Sequence, residues 1–342
     1  MPQPTPGDVH VDKMLTDFSV AFVNGQGAYI ADQVFPTIGV TNQTDRYRYY
    51  PRGAWFRTIA AKRAPSTETK GGGWTYSADS YRCDVWGVHK DIDDQERANE
   101  DSDLNIDTDA VNWTTEQLLL RRDLEWKDNY FKTGVWSTDL VGVTSAPSAS
   151  QFIQWDQAAS TPIQDVHKRA IQMQKITGLR PNTLVLGPEA EVVLVNHPQI
   201  IDRIKYTREG TYDYQLLARL LKVDRVLTAN AVVNTGVETA AELEFDRTTG
   251  VANAAADDTD NFDFIFGKDA LLCYSAPNPG LRVASAGYTF AWTGLYGAAA
   301  YGGRISRIRA ELIRSDRIEA EAAWDQKITA PDLGMFWSGL VA

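Results

Sequence analysis

Nowhere in these 342 residues do eighteen apolar side chains run together, so no segment reads as a membrane-spanning helix. The opening Met1-Pro2-Gln3-Pro4-Thr5-Pro6-Gly7 has neither the basic start nor the apolar stretch of a secretory signal, and the protein is expected in the cytoplasm where it is made. Cysteine and histidine are scarce. Cys83 and Cys273 stand apart from each other and from His10, His89, His167 and His197, which excludes a disulfide framework and zinc spacing and leaves two thiols expected to be buried or half-buried. Cationic charge is in deficit as well. Lysine and arginine number 34 against 45 acids, and a net charge of -11 argues against a surface devoted to gripping phosphates, whose affinity comes from cations displacing counterions.

Enzyme motifs are missing too. There is no Gly-x-Ser-x-Gly elbow, no His-Glu-x-x-His, no Walker loop and no dinucleotide fingerprint. Gly71-Gly72-Gly73 lacks the following Lys-Ser/Thr and helix that make backbone amides converge on an anion. His167, beside Asp165, and His197, before Pro198, sit near helix ends, where a cap or surface contact is the ordinary role. The acids from Asp91 to Asp94 lack the alternating ligands and turn glycine of a calcium loop. No catalytic residue, metal ligand or cofactor is therefore predicted, and no repeat of solenoid period is visible.

What the chain does have is 43% apolar residues, enough for real cores in two or three lobes, and an uneven distribution of charge. From 46 to 70 there are seven cations (Arg46, Arg48, Arg52, Arg57, Lys62, Arg63, Lys70) against Glu68 alone. From 91 to 109 there are nine acids (Asp91, Asp93, Asp94, Glu96, Glu100, Asp101, Asp103, Asp107, Asp109) against Arg97 alone. Such blocks are either solvated faces or complementary surfaces between subunits.

Periodicity supplies a coarse α+β outline. Residues 1–50 carry apolar anchors (Phe18, Phe22, Tyr29, Ile30, Val34, Phe35) too sparse for a core of their own, so they read as an arm that packs on something else. Trp55 to Ala60, and Trp74 to Tyr76 with Tyr81 to Trp86, are aromatic β-favouring runs around a glycine-bearing linker and suggest a long hairpin. A helix of about seven turns fits Thr108 to Thr133, capped by Asp107 and ended by Gly134, with Trp113, Leu120, Leu124 and Phe131 as its core stripe and Arg121, Arg122, Asp123, Glu125, Lys127 and Asp128 keeping much of the rest wet. Thr161-Pro162-Ile163-Gln164 looks like a capping box opening a second, mixed lobe; its helix stops at Gly178. Within it follow a strand at 182–186, helices at 188–195 and 212–221, a strand at 223–227, an exposed loop at 240–260 and a strand-rich stretch at 261–275 with Phe262, Phe264 and Phe266 alternating. Ile308, Ala310 and Leu312, then Ile318, Ala320, Ala322 and Trp324, alternate with charged residues as two long antiparallel strands with one wet face.

Several segments, in order, resemble the capsid proteins of tailed bacterial viruses with the Hong Kong 97-like fold. Tyr29-Ile30-Ala31-Asp32-Gln33-Val34-Phe35-Pro36 with Tyr47 and Tyr49-Tyr50 is similar to that family's arm leading into its extended loop. Gly178 to Gly187 and Leu217 to Leu227 are similar to its axial domain; Phe266 to Leu272, Gly287-Tyr288-Thr289-Phe290 with Trp292, and Arg314 to Ala320 resemble its closing strands. The resemblance implies an N-terminal arm (1–50), an extended loop (51–92), a peripheral domain (93–160) with a spine helix at 108–133, a mixed α/β axial domain (161–290), long peripheral strands (291–328) and a C-terminal tail (329–342). It also implies a structural protein that self-assembles as homopentamers and homohexamers into an icosahedral virion shell enclosing double-stranded DNA without sequence-specific binding. Portal, separate scaffold and decoration proteins are the implied partners, with no membrane; no coiled coil precedes the arm, so a fused scaffold is not expected. An encapsulin-type compartment and a soluble α+β enzyme are the alternatives.

Contacts between subunits are expected from Arg57, Lys62, Arg63 and Lys70 of the loop and from Asp91, Asp93, Asp94 and Glu96 of the acidic block. Some relatives weld the shell by joining a loop lysine to an asparagine near the C-terminal end, assisted by a glutamate. Lys62, Lys70 and Glu68 supply the donor half, but no asparagine follows Asn278, and Gln326 is the nearest substitute, so a noncovalent shell is expected.

Overall fold

In a computed structural model, residues 24–25, 27–99, 105–205, 214–236, 245–246, 251–252, 261–280, 283–296 and 303–342 are described. Phe18 and Phe22 of the arm and most of the acidic loop expected at 240–260 lie outside them. No helix among the described residues is long and apolar enough to cross a membrane.

The strands of the two large sheets and of the hairpin, in chain order, are β1 Thr37–Val40, β2 Thr44–Tyr49, β3 Ser77–Arg82, β4 Asp84–Asp93, β5 Thr138–Val143, β6 Gln151–Ile153, β7 Thr183–Leu186, β8 Arg225–Thr228, β9 Ala270–Cys273, β10 Gly287–Trp292, β11 Gly303–Ala310, β12 Ser315–Ile328 and β13 Gly334–Ser338. The main helices are α1 Ala31–Val34, α2 Ile106–Tyr130, α3 Pro162–Thr177, α4 Pro188–Val195, α5 Pro198–Ile204 and α6 Tyr214–Leu221.

One sheet is organised on β12, whose 14 residues pair antiparallel with β4, with β11 and, through its last third, with β10; β1 then adds parallel to β10. The alternation read from the sequence holds along β12: Ile318, Ala320, Ala322 and Trp324 are buried. It fails on β11, where Ile305 and Ile308, three apart and so on opposite faces, are both about half exposed, because this edge strand is left uncovered on either side.

The other sheet runs β6-β5-β13-β9-β7-β8. Its β13 was expected to be a tail. Gly334-Met335-Phe336-Trp337 is instead a fully buried strand, third in the order, parallel to β5 and antiparallel to β9. A short continuous apolar run covered on both faces is the mark of an inner strand. Gly334 is required there, since a Cβ would stand 2.0 Å from the Trp136 ring. Because β5 and β6 share this sheet with β7 to β9, segments assigned by resemblance to the peripheral and axial domains are joined by one hydrogen-bond ladder.

Helix α3 begins with Pro162 at its first turn and stops at Gly178, in the left-handed conformation at φ 78°, as the sequence suggests; Thr161 caps no backbone amide and instead points its hydroxyl at Asp165 (3.4 Å). The hairpin differs more. Its arms are β2 and β3, in antiparallel register from Thr44↔Arg82 to Tyr49↔Ser77, while Trp55 to Ala60 is no strand and Arg52–Trp55 is a helical turn.

The long helix α2 starts two residues earlier than expected and ends three earlier, and Asn105, not Asp107, caps it by accepting from the Thr108 N–H (3.0 Å). Its stripe is rotated by about one position from the apolar reading. Ala110, Thr114, Arg122 and Trp126 are buried at multiples of four, with Asp123 beside them. Leu120 and Leu124 only flank the core, Phe131 is buried just past the last turn, and Trp113, placed in the core by hydropathy, is 47% exposed. Polar side chains take the inner face because each finds a partner. Thr114 donates to the Ala110 carbonyl (2.8 Å), and Asp123 accepts the backbone N–H groups of Ile30 (2.9 Å) and Ala31 (3.0 Å). Arg122 pairs with Asp32. The arm segment Ile30 to Phe35 is thereby part of this chain's own core, with Phe35 lodged among Trp126, Tyr130 and Trp136 at 5.6, 5.1 and 6.4 Å between ring centres.

These placements set a contrast. Trp126→Ala is expected to destabilise the unassembled chain by about 3–5 kcal/mol, as deletion of a large buried aromatic does. Trp113→Ala should stay within about 0.5 kcal/mol. Urea unfolding of both variants measures this; equal costs would mean that Trp113 is covered by its own chain.

Candidate functional site

One serine and histidine are in contact among the described residues. Ser160 and His197 are both buried, with Oγ 2.9 Å from Nε2. The Gln199 N–H donates to His197 Nδ1 (3.2 Å), which leaves the ring proton on Nε2, pointing at the serine. Ser160 in turn gives its hydrogen to the Gln157 carbonyl (2.6 Å). The imidazole is thus a donor to the hydroxyl, the reverse of a general base, and the pair closes the turn before α3. His167 is equally structural, 3.1 Å from the Leu220 carbonyl. A cleft of about 210 Å³ between β6, α3 and Trp337 is lined by Asp165, Lys168 and Arg169 but is below the usual size of a ligand pocket. No group of three or more metal-ligating side chains occurs among the described residues.

The surface is more informative. Residues 50–76, between the hairpin arms, are exposed nearly throughout, including Trp55, Phe56, Trp74 and Tyr76, each more than half exposed. Trp55 and Trp74 lie 5.5 Å apart, Tyr50 meets Trp55 edge-on, and Arg48 covers the Tyr76 ring at 4.8 Å. The loop is tied down at its root, where Arg52 pairs with Asp332 and the Phe56 ring lies against Gly178. Beyond that root Arg57, Lys62, Arg63 and Lys70 are all exposed, and none has an ion-pair partner among the described residues. Arg63 is held only by its own loop, donating to the Thr67 carbonyl (2.5 Å).

The acidic block is divided. Asp91 accepts two bonds from Arg317 (2.7 and 2.9 Å), and Asp94 two from Arg309 (2.6 Å each); in both, the arginine holds the carboxyl below the usual carboxylate range. These two, expected to face another subunit, are occupied by their own chain, because the β4–β12–β11 order brings Asp91 to Arg317 of β12 and Asp94 to Arg309 of β11. Asp93 and Glu96 stay exposed, with no ion-pair partner among the described residues. Sequence reasoning missed a further surface, the turn between β11 and β12, where Leu312 is fully exposed and Ile313 about half. The signal was Leu312-Ile313 set between Glu311 and Arg314 at a turn, where neither can reach a core.

No protein-family model matches the chain. Two curated relatives are each named major capsid protein. That of Pseudomonas phage JBD67 is 24% identical over 339 residues, 97% of either chain, and that of Burkholderia phage BcepMu is 24% identical over 273 residues, 77% of this chain and 76% of its own. Among solved structures, a phage-related protein from Bordetella bronchiseptica RB50 superposes with a TM-score of 0.65 at 20% identity, over 92% of each chain. The mature capsid of bacteriophage PhiM1 gives 0.58 at 12% identity, over 96% of this chain and 92% of that one. An encapsulin complex from Synechococcus elongatus PCC 7942 gives 0.51 at 10%, over 96% and 94%. The fold is the Hong Kong 97-like capsid fold.

Burial holds the pKa of His197 below its ordinary 6.5, so the folded ring stays neutral where the unfolded one takes a proton. The stability advantage of the natural chain over His197→Gln should therefore be fully present above about pH 6.5 and shrink as pH falls below it. Urea unfolding at about pH 7.5 and about pH 5 checks the sign; an advantage that grows on acidification would mean the ring is charged in the fold.

Proposed function

We propose that this chain is the major capsid protein of a tailed bacterial virus, a subunit that assembles with copies of itself as pentamers and hexamers into an icosahedral shell around double-stranded DNA. The observation that carries the reading is a shell fold with its aromatic and cationic loop left uncovered, in a chain that matches a major capsid protein along 97% of both lengths. A loop this long, rich in tryptophan and tied only at its root, gains stability from a second surface. Charge supports a second copy as that surface. Residues 46–70 carry a net +6, and removing it from the total of -11 leaves the rest of the chain at -17. Each subunit therefore offers a basic projection and an acidic body. With Asp91 and Asp94 engaged internally, Asp93 and Glu96 are the two of the four predicted contact acids left to receive it.

An encapsulin-type compartment is the second reading, favoured by the shared fold. Particles that protect DNA support the first reading, and particles holding a protein cargo the second. Localisation in the virion after assembly in the host cytoplasm follows from the first, as do portal, scaffold and decoration proteins as partners.

Reversing the loop charges with Arg57→Glu, Lys62→Glu and Arg63→Glu together should weaken particle formation, most strongly at low salt, where screening is least. Light scattering reads it, and unaltered particles from the triple variant would sink the assignment of the loop. We also expect the shell to be noncovalent. Gln326, the nearest substitute acceptor, is 3% exposed with its amide nitrogen 3.4 Å from the Arg122 carbonyl, out of reach of a neighbour's lysine. Denaturing electrophoresis of mature particles should give one band near 38.0 kDa; a boiling-resistant ladder would contradict this.

A further inference from the structure

The hairpin of β11 and β12 ends beside the first turn of α2, and the contact there is mostly ionic. Arg309 joins Asp94 (2.6 Å) to Asp316 (3.2 Å). Asp316 also meets Arg307 and, at 3.5 Å, Arg97. Both of those arginines reach Asp107, the second residue of α2, at 3.3 and 2.7 Å. Six side chains of alternating sign thus link β4's end, both hairpin strands and the helix start. The apolar support is thin, with only Ile92, Ala110 and Ile318 buried and Ile106 and Val111 partly so, against the aromatic packing around Trp126 at the other end of α2. The same hairpin carries the exposed Ile305, Ile308, Leu312 and Ile313.

We propose that this network is an ionic clamp that fixes the pitch of the hairpin tip against α2, and that ionic strength, by loosening it, governs how the apolar tip is presented to another copy of the chain. The second half of the proposal rests on the shell-forming reading above; the clamp itself does not. Asp316 is the hub, with a side chain only 15% exposed, while Arg307, Arg309, Asp94 and Asp107 are between 37% and 52% exposed. Charges so open to solvent are screened by salt, and removing the hub uncouples three arginines at once. A tip resting on a small core then follows the ions, whereas the middle of α2 does not.

Hydrogen exchange of the purified, unassembled full-length chain tests the clamp. Amides of residues 305–314 should exchange about two- to five-fold faster when salt is raised from about 0.05 M to about 0.5 M, the range expected when exposed ion pairs are lost. In Asp316→Asn they should exchange at the fast rate at both salts, with Gly334–Ser338 unchanged to show that the fold is intact. Arg309→Gln serves if the first variant is insoluble. Exchange in the natural chain that ignores salt, or a variant that keeps the natural response, overturns the clamp. Light scattering separates the second half. A tip that loosens while particle yield and its salt dependence stay the same overturns the link to assembly, whereas a natural chain that forms no particles at any salt counts against the shell reading and leaves the exchange result standing.

Discussion

A carboxylate buried in the middle of the long helix holds the subunit together. Asp123 is 2% exposed, and burial pushes its pKa up to about 6, so carrying a charge there at neutral pH is a cost that its surroundings must offset. They do so with two backbone N–H groups from Ile30 and Ala31 and with the nearby Arg122, which itself pairs with Asp32. Buried ions of this kind contribute less to stability than well-packed apolar side chains, but removing one partner leaves the other stranded. The consequence is register. The placement of the segment from Ile30 to Phe35 that satisfies Asp123 delivers Phe35 to the aromatic nest and Pro36 to the start of β1, whose pairing with β10 then joins the segment to the β12 sheet.

This also explains where reading the sequence failed. Hydropathy finds a helix face by its apolar residues, and on α2 the inner face carries Thr114, Arg122 and Asp123, so the apolar stripe lies one position off the buried one and points Trp113 inward. Nothing in α2's own sequence shows that Ile30 and Ala31 supply amides to it, since the contact spans about 90 residues of chain. Local signals did better. Pro162 and Gly178 bounded α3, Pro188 to Val195 formed the helix expected, and the alternation along β12 gave its buried face. The hairpin was placed by its aromatic residues, yet its arms are the more polar Thr44–Tyr49 and Ser77–Arg82. Trp55, Phe56 and Trp74 are aromatic for a reason other than pairing in a sheet.

The candidate contact residues divide along the same line. The cations of the loop are legible because Glu68 is the one acid among them in sequence, and in the fold they remain exposed. The acids were half legible. Asp91, Asp93 and Asp94 look alike as a string, but Asp91 stands opposite Arg317 of β12, Asp93 ends β4 opposite Ser315, and Asp94 begins the helical turn that follows. Asp91 and Asp94 meet arginines of the neighbouring strands, while Asp93 does not. Which acid is free is a property of the β4–β12–β11 register, which composition does not contain.

That register bears on the proposed shell. A subunit that must join many copies in closed symmetry needs contacts weak enough singly to be corrected during assembly and numerous enough together to hold. Exposed ion pairs meet the first condition, since each contributes little and all are screened by salt. The uncovered aromatic side chains of the loop and the isoleucines and leucine of the hairpin tip meet the second, since apolar area accumulates over every interface without needing exact geometry. In the proposed shell the two kinds of contact would sit on the same projecting elements, while the charges that fix the fold are turned inward at Asp123 or tied to neighbouring strands at Asp91. On that proposal assembly strength varies with solution conditions while the packing around Trp126, which those conditions hardly reach, stays as it is.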